Sequence, residues 1–195
     1  MDYYALALNR DFINFHISTL FGKRTPGLTE QGVELHIVSC AAKCFSSWLA
    51  RDALQMAREA CGGHGYLEAA GIAEAKNDHD ANCTYEGDNN VLLQQTSNVI
   101  LAAIDGSKSS LLAMPTLKFL RERKQILTQP RLKRTSGEFT VREIVEMYQW
   151  LVCHLLEQWQ EALKLEEARS DAFHAKNNTQ VFLARELALA FIEVS

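Results

Sequence analysis

The chain has 195 residues, 47% hydrophobic and 23% charged, with a formal net charge of −4. That is the composition of a globular protein with a core, and its negative balance gives no whole-molecule attraction to nucleic acid or to an anionic membrane. Three prolines and ten glycines are too little punctuation for an all-β fold and favour helices. No run approaches the ~18 uncharged apolar residues of a membrane span. Five cysteines, behind an N-terminus without a basic leader, fit reduced thiols better than a disulfide framework.

From Tyr4 to Phe21 apolar residues recur at helical spacing, and Gly22 to Leu28 is a turn cluster. Thr29 is a plausible N-cap for a second, longer helix, in which Leu35, Val38, Ala42, Phe45, Leu49, Met56 and Ala60 step by three, four or seven up to a Gly62-Gly63 break. Between Leu67 and Ala75 the pattern is weak, and Asn77 to Asn82 reads as loop. Asp88 can cap a third long helix ending at Gly106. Residues 106–138 are rich in Lys and Arg and read as an exposed basic connector with a short helix around Leu117–Leu127; solvated surface outweighs phosphate binding there, because aromatic residues are scarce. Thr140-Val141-Arg142-Glu143 is a capping box that opens another helix. Ser170 to Asn178 reads as turn, and a last apolar helix from about Thr179 runs up to the end of the sequence, as if cut off.

The expected fold is therefore all-α, a long-helix bundle. A first unit spans 1–105, a connector 106–138 and an incomplete second helical unit 139–195, with a fourth bundle helix supplied by that second unit or by a partner.

Chemistry-bearing residues concentrate between Cys61 and Thr96. Cys61-x-x-His64 and His79-x-x-x-Cys83 offer four zinc-type ligands, but the glycines between the first pair and the ample core elsewhere argue against a metal domain. His36, Cys40 and Cys44 share a helix face and read as packing. Gly62, Gly63 and Gly65 give backbone that a flat or bulky group can approach, without the strand and helix of a dinucleotide fingerprint. Glu86 sits between Tyr85 and Gly87 just before a helix. Drawn out of water beside an aromatic ring, such a carboxylate would gain basicity and could accept a proton from carbon, whereas the helix dipole opposes that shift.

Arg58-Glu59-Ala60-Cys61-Gly62-Gly63-His64-Gly65-Tyr66-Leu67, followed by Cys83-Thr84-Tyr85-Glu86-Gly87-Asp88-Asn89-Asn90-Val91-Leu92-Leu93-Gln94-Gln95-Thr96, closely resembles the peroxisomal acyl-CoA oxidases, most of all the pristanoyl-type and oxidase-like members. The resemblance implies the helical C-terminal architecture of the acyl-CoA dehydrogenase and oxidase superfamily, FAD as cofactor and an acyl-CoA substrate. It makes Glu86 the base that removes the α-proton, with Tyr66, Tyr85 and Gly87 beside the substrate. It implies that Gly62 and Gly63 lie near the FAD of a partner subunit in a dimer. Asp88 and Asn90 stand where relatives carry flavin-contacting threonine and glutamine. Peroxisomal localisation follows from the family alone; no targeting signal is evident, and the cytoplasm is the other expectation. The family's N-terminal helical and β-barrel flavin domains find no counterpart, so the isolated chain is expected not to complete a turnover. The alternative expectation is a non-catalytic helical module that dimerises with itself or with a full-length relative.

Overall fold

The computed structural model describes residues 29–128 and 139–195. The expected helix over Tyr4–Phe21, the turn at Gly22–Leu28 and the basic residues Arg131, Lys133 and Arg134 lie outside them. The described chain is all-α, with no strand among the described residues.

Helix α1 runs from Thr29 to Ala60, 32 residues, or about 48 Å at 1.5 Å per residue. Ile37, Val38, Ala41 and Cys44 form its fully buried stripe. It ends where expected, at Gly62 with φ of 57°. Helix α2, Ile72–Asp80, and the 3₁₀ turn Ala81–Cys83 replace the loop expected from Asn77 to Asn82. None of its residues is fully buried, so no apolar period announces it. Good helix formers such as Ala75 and Lys76 sustain it, and two polar ties hold it to α1: Lys76 Nζ donates to Gln55 Oε1 at 2.6 Å, and His79 Nε2 to the Ser47 carbonyl at 2.8 Å.

Helix α3, Asn89–Ile104, begins at the expected cap: Asp88 accepts from the Asn90 and Val91 N–H groups. The following stretch differs from the exposed connector that its charge suggested. Short 3₁₀ segments Ser109–Ala113 and Lys118–Glu122 and helix α4, Arg123–Thr128, bury Leu111, Leu117 and Leu120 while Lys118, Arg121 and Lys124 stay in solvent. Glu34 of α1, itself buried, pins this stretch by accepting from the Thr116 N–H at 2.9 Å and the Thr116 hydroxyl at 2.7 Å.

Helix α5, Val141–Glu167, opens with the expected capping box: the Glu143 carboxylate accepts from the Thr140 N–H, and the Thr140 hydroxyl accepts from the Glu143 N–H. Helix α6, Ala172–Ile192, starts seven residues earlier than expected, because Asp171 caps it through the Phe173 and His174 N–H groups. Polar Asn177 and Asn178, read as turn, belong to its surface turns. The helix ends at Ile192, with the Val194 and Ser195 N–H groups donating to the Phe191 carbonyl.

The short α5–α6 connection makes the two helices antiparallel neighbours, and α6 also packs on α1 and α3. One continuous core joins Ile37 and Val38, Ile100, Leu117, Leu156 and Trp159, and Leu187 and Phe191. Among the described residues, α6 of the expected second unit thus shares one core with α1 and α3 of the first. A smaller cluster of Cys44, Leu93 and Ala188 sits where α1, α3 and α6 meet, directly under the start of α3.

Candidate active site on the Tyr85–Glu86–Gly87 turn

After the Ala81–Cys83 turn the chain must reverse before α3 can begin. Glu86 at φ 57° and Gly87 at φ 103° make that reversal, and Glu86 is the one non-glycine residue with positive φ among the described residues. At residue 86 the left-handed conformation costs about 1–2 kcal/mol, which the surrounding contacts must offset. At residue 87 glycine is required: a Cβ there would stand 2.8 Å from Leu92 Cδ2.

The turn forms one wall of a cleft of about 290 Å³. Tyr85 and Glu86 face Lys43, Ser46 and Ser47 of α1, with His79 and Asn82 at the side. Lys43 Nζ donates to the Gly87 carbonyl and to Asn89 Oδ1, both at 2.7 Å. Asn89 is buried; its Nδ2 donates to Ser47 Oγ at 2.8 Å, and its carbonyl accepts from the Cys44 thiol at 3.1 Å. Burial pushes the Cys44 thiol up to about 12 against the opposing Lys43 charge, so it stays protonated and remains a donor. On the other side Tyr85 Oη donates to Asn82 Oδ1, and Asn82 Nδ2 meets His79 Nδ1 at 3.0 Å. Because His79 Nε2 faces a carbonyl, it carries the ring proton, which leaves Nδ1 as the acceptor in the neutral ring.

Glu86 itself is exposed, and among the described residues its carboxylate has no hydrogen-bond partner. The withdrawal from water expected of a carbon base is therefore not supplied by the described part of this chain. Lys43 and Ser47 were not among the sequence candidates, and His79 was considered there only as a zinc-type ligand. Lys43 and Ser47 share a helix face at i and i+4, but nothing local ties that face to a turn some forty residues on.

The remaining candidates fall into two places. Asp88 Oδ1 is engaged at the α3 N-terminus, accepting from the Asn90 N–H at 2.9 Å, and Asn90 is exposed. Gly62 and Gly63 lie in the 3₁₀ turn Gly62–Tyr66, beyond the end of α1, and do not line the cleft. From Ser47 to the end of α1 at Ala60 the helix axis runs about 20 Å, and the glycines lie beyond it. Tyr66 is 75% exposed, with the Arg58 guanidinium 4.6 Å above its ring. A Cβ at Gly62 or Gly63 would meet nothing within 4 Å, so their backbone faces open space; the steric demand for glycine falls on Gly65, where a Cβ would lie 2.2 Å from the Arg58 carbonyl oxygen. The four zinc-type residues are not gathered: among the described residues no three His, Cys, Asp or Glu side chains could share a metal ion.

The sequence matches the acyl-CoA oxidase C-alpha1 domain over residues 6–101. Peroxisomal acyl-coenzyme A oxidase 3 of Homo sapiens is 37% identical over 205 residues, a match that takes in 100% of this chain. The chain belongs to the acyl-CoA oxidase family. Acyl-coenzyme A oxidase acox-3 of Caenorhabditis elegans is 31% identical over 183 residues, 93% of the chain. In structure, the chain resembles acyl-CoA oxidase-1 of Caenorhabditis elegans, solved with FAD and ATP, at a TM-score of 0.81 and 24% identity over 97% of this chain and 29% of that one. The chain spans 29% of the human relative's length and 26% of the acox-3 length. Acyl-CoA oxidases oxidise acyl-CoA in β-oxidation.

Proposed function

We propose that this chain carries the proton-abstracting part of an acyl-CoA oxidase, with Glu86 as the base. The reading rests chiefly on one observation: Glu86 sits on a left-handed turn that lines the cleft, just before the N-terminus of α3. The reaction is acyl-CoA plus O2 to trans-2-enoyl-CoA plus H2O2. Glu86 takes the α-proton. Its own backbone N–H donates to the thioester oxygen, where the negative charge of the developing enolate collects, so base and oxyanion donor belong to one residue and are oriented together. Tyr85 and Gly87 flank the reacting carbons, and Tyr66 is the further substrate-side residue.

FAD, when bound, supplies the two-electron oxidant. Its fit to this chain is supported at Gly62 and Gly63, whose backbone is open to a flat group; Asp88, engaged as a helix cap, and Asn90 offer polar contacts at most. Family membership supports a dimer in which those glycines meet the flavin of the opposite subunit. A peroxisomal setting follows from the named relatives. No described helix is long and apolar enough to cross a membrane.

Glu86→Gln in an assembly that oxidises acyl-CoA should slow α-proton exchange with D2O at least about 100-fold, the usual contribution of a positioned general base. Undiminished exchange would overturn the assignment. The exposure of Glu86 favours a second reading for the chain on its own, a helical interaction module. Incubation with FAD and removal of free cofactor separates the two: stoichiometric flavin absorbance supports a working half-site, and its absence supports the module.

A further inference from the structure

Both chain neighbours of Glu86 are tied to the same residue of α1. From Tyr85 the path runs through Asn82 and His79 to the Ser47 carbonyl, with 3.0 Å between Asn82 and His79 and 2.8 Å from His79 to Ser47. From the Gly87 carbonyl it runs through Lys43 Nζ and the Asn89 side chain to Ser47 Oγ, in steps of 2.7, 2.7 and 2.8 Å. Ser47 is 6% exposed and Asn89 1%, so water competes little at the junction. The Glu86 carboxylate has no bond of its own among the described residues. Its direction is therefore set by the backbone at residue 86, and that backbone is held at residues 85 and 87.

We infer that Lys43, Asn89 and His79 are positioning residues, the two arms of a brace that Ser47 anchors and that aims the Glu86 carboxylate. The inference deepens the assignment of Glu86 as base and rests on it for its catalytic meaning. Lys43 is half-buried, outside the apolar core, and so can be replaced without opening that core. Its ammonium bridges a carbonyl and an amide oxygen, a charge-assisted pair that neither a methionine nor a solvent molecule reproduces. Without it the left-handed turn at residue 86 loses its Gly87-side restraint while the apolar core beneath, Cys44, Leu93 and Ala188, stays packed.

Amide hydrogen exchange of the full chain tests the brace independently of any activity. The reporters are the Tyr85 N–H on the Ala81 carbonyl, the Asn90 N–H on Asp88 and the Leu92 N–H on the Asp88 carbonyl. In Lys43→Met the Asn90 and Leu92 reporters should exchange at least about tenfold faster, the loss of two hydrogen bonds to a charged group, with Tyr85, whose own arm remains, changed less and α5 and α6 unaltered. Lys43→Arg should restore most of the protection. Ser47→Ala should act on Asn90 and Leu92 but spare Tyr85, since the carbonyl arm remains. Unchanged exchange at the turn in Lys43→Met, or acceleration spread evenly over the chain, would overturn the brace. In an assembly that turns over, Lys43→Met should lower kcat about tenfold with KM unchanged, on the same hydrogen-bond scale. Full activity of Glu86→Gln would instead remove Glu86 as base, and the exchange result would still decide whether the brace exists.

Discussion

The α5–α6 pair and the Tyr85–Gly87 turn are held by opposite means. In the pair, Trp159 and Phe191 are fully buried, Trp159 Nε1 donates to the Thr179 hydroxyl at 3.1 Å, and apolar area carries the stability. In the turn, Tyr85 and Glu86 stay in solvent, and order comes from directional bonds to α1. The contrast separates two duties. Burial keeps the bundle folded without caring about a few tenths of an ångström, whereas a base must point, and hydrogen bonds fix direction where apolar contact does not.

Perturbations of the two regions should therefore report on different observables. Trp159→Ala should lose about 3–5 kcal/mol in denaturant unfolding, the range for deleting a buried large aromatic; a loss well under that would mean the pair is not the stability centre. Gly65→Ala comes next, because its Cβ would sit 2.2 Å from the Arg58 carbonyl oxygen. Overpacking against backbone should cost about 1–3 kcal/mol, seen as a lower melting temperature, whereas Gly63→Ala should cost less than half as much.

A smaller effect should appear with alkali. Burial raises the Cys44 and Cys153 thiols from an ordinary 9.0 to about 12 in the folded chain. Groups whose pKa is higher folded than unfolded contribute stability that is complete below 9.0 and is lost as pH rises toward 12. The melting temperature should accordingly hold up to about pH 9 and decline above it, and a flat profile to pH 11 would show that neither thiol is held protonated. Glu86→Gln should have the smallest effect on stability, under about 0.5 kcal/mol as for an exposed side chain, although on the proposed reading it is the change that slows α-proton exchange most. A large stability loss there would erase the distinction between the two regions.

Local chemistry made much of the fold legible. The Asp88 cap, the Thr140–Glu143 capping box and the end of α1 at Gly62 are each written in two to four adjacent residues. Helix α2 was hidden because it buries no complete face, and the start of α6 because Asn177 and Asn178 outweighed the Asp171 cap ahead of them. Charge also masked Leu111, Leu117 and Leu120, three core residues spaced through a basic stretch. At the candidate site, the Tyr85-Glu86-Gly87 motif was visible as text. Its supports were not, since Lys43 and Ser47 meet it only once α1 and α3 have packed side by side.

Helix α1 runs without a break from the anchor at Ser47 to Ala60, two residues before the glycines at 62 and 63. A helix is a screw as well as a rod: one residue inserted between those points advances the far end by about 1.5 Å and rotates it by about 100°. The angle at which the Gly62–Gly63 backbone faces away from the bundle is thereby locked to the angle at which Glu86 is held. Length changes in this segment are constrained by phase as well as by distance, and among short changes one of about seven residues, close to two whole turns, best restores the phase.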